Sequence, residues 1–202
     1  LNAKNSCANI RFIVYLYMNP QANQRQSRSG ASVGFMHFVA IGGMTVNLST
    51  TVSVRKASIS DIEKLHDIIQ GYAKQGIMLP RSKEMLEEQI DTFVVAESDG
   101  LLIGCGSLTG LGPDLVEIRS LGMTQGYKGQ GIGGKLVNFL VEEARSQGII
   151  KVMALTYEVA FFQKNGFTLV PKEIFPEKVW KDCMHCKKQY CCDEIAVLKR
   201  LD

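Results

Sequence analysis

The chain has 202 residues, 46% hydrophobic and 21% charged, with 19 glycines and one tryptophan, which suits one globular domain or one domain with a tail. The formal charge of +3 sits at one end: residues 1–50 hold Lys4, Arg11, Arg25 and Arg28 and no acid, so the remainder is near neutral and lacks the basic footprint of a nucleic-acid binder. Four of the six cysteines (Cys183, Cys186, Cys191 and Cys192) crowd into ten residues, unlike the spread framework of a secreted disulfide protein, and the apolar run 12–18 is too short to cross a bilayer; a reducing, cytoplasmic compartment without a membrane partner is expected.

Residues 1–50 show no sustained period, and a non-globular or poorly ordered extension is expected there. Three readings are open: an organelle presequence, a secretory signal without a clean apolar core, or read-through upstream of Met44, of which the last is preferred. The pattern sharpens in residues 51–202, taken as the domain. Residues 52–55 alternate as a strand. Ser60 and Glu63 have capping-box spacing, and Ile62, Leu65, Ile69 and Tyr72 then recur at helical intervals until Gly76. A short helix after Pro80 carries Met85, Leu86 and Ile90. Strands 93–97 and 101–108 flank the turn Asp99-Gly100, and 114–123 is a further strand. Ile132, Leu136, Phe139, Leu140 and Ala144 make an amphipathic helix that stops at Gly148. A strand over 151–156, a short helix over 159–164 closed by Asn165-Gly166, and strands over 167–170 and 195–198 complete the order. Strands and helices interleave as in an α/β (α+β) domain, a mixed central sheet flanked by helices.

The segment Gly126-Tyr-Lys-Gly-Gln-Gly-Ile-Gly-Gly134 lies between a strand and the amphipathic helix. Its glycines let backbone approach a ligand, and the helix aims unpaired N–H groups and the positive end of its dipole at that place. A phosphate is the natural tenant, with Lys128 at the rim. Leu136 stands where a P-loop needs Ser or Thr after Lys135, and three strands precede the segment where a dinucleotide fingerprint would open a βαβ unit.

This Gly-rich turn and helix, followed by a strand and Phe161-Phe-Gln-Lys-Asn-Gly-Phe167, resemble motifs A and B of the GNAT acetyltransferase superfamily over about residues 53–170. The resemblance implies an acetyl-CoA cosubstrate whose pyrophosphate lies on the amides of the R/Q-x-x-G-x-G/A turn. That pattern is matched to 126–131, with Gly126 in the Arg/Gln position. The implied coenzyme contacts are Leu121, Gly122, Met123, Lys128, Gly129, Gln130, Gly131, Ile132, Gly133, Gly134 and Phe162. The pantetheine arm is expected along the strand ending at 121–123, which parts from 152–156 to admit it.

Acetyl transfer to an amine needs a proton acceptor, a donor to the thioester oxygen as it gains charge, and a departing thiolate. Glu117 matches the catalytic glutamate of GNAT histone acetyltransferases, and reads equally as a strand carboxylate paired with Arg119. A backbone N–H near Leu121 or Met123 would meet the oxyanion. Phe162 stands where many family members carry a tyrosine acid; Tyr157 is the nearest substitute, or an aromatic of the core or rim.

Residues 79–93, 117–121 and 175–186 resemble N-acetylglutamate synthase, in its short bacterial forms without an amino-acid-kinase domain. The resemblance implies glutamate as acceptor, hence the first step of arginine biosynthesis. Glutamate has two carboxylates, and Arg81 and Arg119 are candidates to grip them, with Lys178 closing over the substrate; each also reads as an ordinary surface or ion-paired charge. A GNAT enzyme for another small amine or a protein N-terminus, and a non-catalytic acetyl-CoA-binding or metal-responsive module, are the competing readings. A homodimer is left open. Residues 171–192 are expected to form a Cys-containing lid. Cys183, Cys186, Cys191 and Cys192 number enough thiolates for zinc, but adjacent cysteines rarely share one ion; structural cysteines and oxidisable thiols are the alternatives.

Overall fold

A computed structural model describes residues 40, 41, 44, 45, 51–186 and 191–201. The chain divides into two units, Leu1–Ser49 and Thr50–Asp202. In the first, β1 (Ala40–Ile41) pairs antiparallel with β2 (Met44–Thr45). The other expectations for residues 1–50 lie outside the described residues.

The second unit opens with β3 (Val52–Lys56) and α1 (Ile62–Lys74). The Asp61 carboxylate, rather than Glu63, accepts from the backbone N–H of Ser58 at 2.8 Å, so the capping interaction lies two residues before its expected place. Asp61 is buried, and Arg55 grips it through both oxygens, at 2.8 and 3.0 Å, which fixes that choice. α2 (Lys83–Glu88) follows; its Leu86 is buried and Ile90 just beyond it packs against the same cluster, whereas Met85 is exposed, so the expected three-residue apolar face keeps two members. β4 (Phe93–Ser98) and β5 (Leu101–Gly110) join through Asp99 and Gly100, both at positive φ, as a tight hairpin turn requires. Then come β6 (Leu115–Met123), α3 (Ile132–Ser146), β7 (Lys151–Thr156), α4 (Val159–Lys164) and β8 (Thr168–Leu169). α5 (Pro176–Lys181), absent from the sequence reading, starts with proline at its first turn, and β9 (Ile195–Arg200) ends the fold.

The seven strands are ordered β3-β4-β5-β6-β7-β9-β8, all neighbours antiparallel except the parallel pair β6–β7. α3 buries Ile132, Leu136, Val137, Leu140, Val141 and Ala144 against one face. The other face carries two separate clusters. Ile62, Leu65 and Ile69 of α1 and Leu86 of α2 cover Phe93, Val95 and Cys105, whereas Phe175 covers Leu115, Met153, Ala196 and Leu198. Glu117 and Arg119 share the face of Leu115 by the two-residue period of a strand, which places them between those clusters. No helix among the described residues is long and apolar enough to cross a membrane.

Candidate active site

The sheet is divided at its centre. β6 and β7 pair only at Leu115–Lys151, Val116–Val152 and Glu117–Met153. Beyond Glu117, β6 stays with β5 while β7 stays with β9 along its whole length, so the two half-sheets part. The cause is a bulge: Cys105 faces Gly122 and Ser107 faces Arg119, leaving Ser120 and Leu121 opposite the single residue Gly106. Ser120 has φ 51, rare outside glycine, and such a bulge bends and twists its strand. Gly106 lets the bulge close: a Cβ there would stand 3.1 Å from both Leu121 Cδ1 and Leu140 Cδ1. The expected parting is therefore present, and Glu117 stands at its apex.

At the open end of β6 the chain turns through Gly126, Gly129 and Gly131, all at positive φ, and Gly131 caps α3. A Cβ on any of these three would meet nothing within 4 Å, so their surface is open and the glycines serve the turn geometry. The unpaired amides are those of the first turn, from Ile132 onward. With the helix starting there, the spacing R/Q-x-x-G-x-G/A is also met by 128–133, which puts the cation Lys128 rather than Gly126 at its first position. Gly133 and Gly134 have a different neighbour from the one expected. A Cβ on Gly133 would meet the Phe161 ring at 3.1 Å, and one on Gly134 would meet Asn165 Oδ1 at 3.2 Å, so their bareness lets α4 pack against α3. Gln130 Nε2 donates to Gly126 O at 3.0 Å and braces the turn. Lys128 Nζ rests 4.9 Å over the Tyr72 ring, on a cavity of about 810 Å³ between α1 and the ends of β5 and β6. An open, positive-φ turn leading into a four-turn helix fits a pyrophosphate.

Tyr72 was missed as a site residue, because its helical spacing marks it only as part of a buried face. Its hydroxyl accepts from Met123 N at 3.0 Å and donates to Met123 O at 3.1 Å. The Met123 N–H is thereby taken, and of the two expected oxyanion donors Leu121 remains.

On the acceptor side four charges form a closed ring. Glu117 accepts from Arg119 and, at 2.9 Å, from Lys178; Asp182 accepts from the same Arg119 and, at 3.0 Å, from Lys178. The ring ties α5 and its C-terminal neighbour to β6. Burial pushes the Asp182 carboxyl up, but Lys178 and then Arg119 outweigh it and hold it below the usual carboxylate range. Arg119 thus carries the in-sheet ion pair, with a second acid beyond it. Arg81 stands apart. Its Nη1 donates to Gln89 Oε1 at 2.7 Å and its Nε to Ser120 Oγ at 3.2 Å, and its guanidinium lies 5.8 Å over Phe93. Among the described residues it makes no direct ion pair, and Asp182 and Glu117 attract it only from farther off. Burial, and then the like charge of Arg119, press its pKa downward, although a guanidinium keeps its proton.

Tyr157 is turned to Asp193, to which its hydroxyl donates at 2.8 Å, and burial followed by that carboxylate raises its pKa. Phe162 lies in the core, edge-to-face with Phe161 and Phe167 at 5.2 and 5.1 Å, and offers no open surface to a coenzyme. Cys183, Cys186 and Cys192 are free thiols. Among the described residues no three His, Cys, Asp or Glu side chains converge as metal ligands.

The Acetyltransferase (GNAT) family matches residues 60–167. An uncharacterized N-acetyltransferase of Chlorobaculum tepidum is 40% identical over 148 residues, 73% of this chain and 96% of the relative. This chain belongs to the GNAT acetyltransferase family. It is an acetyl-CoA-dependent N-acetyltransferase. An amino-acid acetyltransferase of Yersinia pseudotuberculosis is 32% identical over 66% of this chain and 31% of its own length. The structure of N-acetylglutamate synthase from Neisseria gonorrhoeae, complexed with coenzyme A and N-acetyl-glutamate, superposes with a TM-score of 0.68 at 29% identity, over 78% of this chain and 37% of that one. A Mycobacterium tuberculosis protein in complex with CoA gives 0.64 at 30% identity, over 74% and 99%. This GNAT chain therefore spans about a third of the Yersinia and Neisseria relatives and nearly all of the other two.

Proposed function

We propose that this GNAT domain acetylates the α-amino group of L-glutamate by direct transfer in a ternary complex, the first step of arginine biosynthesis in the enzymes it resembles. Arg81 carries the reading: a half-buried cation without a direct ion pair among the described residues, beside a ring of two cations and two acids. Such a site has an excess of one positive charge. Glutamate, with two carboxylates and one ammonium, has the opposite excess and the carboxylates that a guanidinium fork grips. The Yersinia and Neisseria relatives, an amino-acid acetyltransferase and an N-acetylglutamate synthase, lend support.

Acetyl-CoA supplies a thioester carbonyl open to attack by an amine. The open turn at 126–131 and the first amides of α3 hold the pyrophosphate, and the parted strands take the arm that follows it. Glu117, at the apex of that parting, takes the proton from the acceptor's ammonium once its own ion pairs shift toward the substrate. Leu121 N–H donates to the oxygen that gains charge. Arg81 and Arg119 hold carboxylates, and Lys178 closes the site from α5 as the expected lid. Tyr157 has its proton committed to Asp193, so the thiolate departs without it. The ring ties the lid down over β6, which favours a small amino acid over a peptide.

The test is turnover of acetyl-CoA with glutamate, aspartate, glutamine, lysine and an N-terminal peptide. Glutamate is expected to give the highest kcat/KM; preference for a neutral or basic amine, or for the peptide, overturns the assignment.

A further inference from the structure

We propose that Asp182 is a built-in competitor of the acceptor: before substrate arrives it occupies the place on Arg119 and Lys178 that a carboxylate of the acceptor takes. The proposal rests on the reading above only in requiring a carboxylate-bearing acceptor.

Three observations carry it. Asp182 contacts both Arg119 and Lys178, so one carboxylate spans two cations as a substrate carboxylate would. It is the outermost of the four charges: its side chain is 28% exposed, against 17% for Arg119, 12% for Lys178 and 4% for Glu117. Releasing it to water therefore costs least. Finally, Arg81 adds a nearby cation that feels Asp182 and Glu117 only at a distance and makes no direct ion pair among the described residues, so a dicarboxylate can serve it in the same exchange.

The selectivity follows from charge conservation. When an acceptor carboxylate displaces Asp182, Arg119 and Lys178 keep their counter-charge and the lid acid gains full hydration. A neutral amide in that position leaves two half-buried cations short of one charge, so glutamine cannot make the exchange at its side-chain end. Asp182 thus competes with a charged acceptor for these two cations and lowers its affinity, whereas a neutral side chain never enters the competition.

Trp180 lies in α5 and is the single tryptophan of the chain, so its emission reports on this segment. The full chain is titrated with glutarate, a dicarboxylate without an amine, so the readout does not depend on which amine is acetylated. A saturable change in wild-type emission is expected, with Asp182→Asn starting near the saturated value. The variant's KM for glutamate should fall about three- to tenfold, more than its kcat changes, while that for glutamine stays put. Wild-type emission indifferent to glutarate overturns the proposal even if the variant fails to fold. So does an Asp182→Asn enzyme with unchanged or raised KM for glutamate, which leaves glutamate standing as acceptor. Conversely, a glutarate response in an enzyme that acetylates some other acidic amine upholds the displacement and removes glutamate.

Discussion

Replacing Arg81 with methionine removes the charge and keeps most of the side-chain length. The folded state loses hydrogen bonds to Gln89 and Ser120, about 1 kcal/mol each, and a contact with the Phe93 ring of roughly 0.5–1 kcal/mol. Against these, a desolvated cation and its repulsion with Arg119 disappear. The terms oppose one another, so the melting temperature should move by only a few degrees. Binding is different, because a carboxylate loses the one cation of the group that makes no direct ion pair among the described residues. A charged group left without its partner typically costs about 2–5 kcal/mol, or roughly thirty- to several-thousandfold in kcat/KM for glutamate. Glutamine, which cannot use the second charge, should suffer less, and the glutamate-to-glutamine ratio should narrow. Steady-state kinetics on both acceptors, with calorimetric melting as control, decides it. An equal loss for both amino acids, or a melting temperature lowered by tens of degrees, refutes the reasoning: Arg81 would then be a packing residue.

Glu117→Gln should lower kcat far more than it raises KM, with a deficit that shrinks at high pH where the amine is already neutral; a pH-independent deficit makes Glu117 only a member of the ring. Gly131→Val forces a β-branched residue to φ 78 at the helix cap and should abolish coenzyme A binding by titration calorimetry while the protein stays folded; unchanged affinity moves the pyrophosphate elsewhere. Arg55 holds Asp61 at about 2, below its ordinary 3.8, so the pair's stabilisation is full above that ordinary value and is lost as pH falls towards 2. Asp61→Asn should accordingly cost about 1–2 kcal/mol at neutral pH and flatten the acid limb of the unfolding curve; an unaltered limb rules out that linkage.

The sequence by itself determined what depends on local chemistry. Glycine spacing marked the turn before α3, apolar periods marked α1 and α3, and Asp99-Gly100 marked the hairpin, because each is set by backbone conformations or faces a few residues long. It also marked Glu117, Arg119, Arg81 and Lys178 as charges worth following. Only the tertiary structure decided their company. Arg119 and Lys178 are 59 residues or more from the partners each finds across the fold, Asp182 and Glu117, and no local spacing encodes such a pairing. The same is true of Tyr72 capping Met123 from 51 residues away, and of Gly133 meeting Phe161 rather than open space. The parting of β6 from β7 hinges on one extra residue opposite Gly106, and a bulge is a property of register between strands, which exists only once the strands have met.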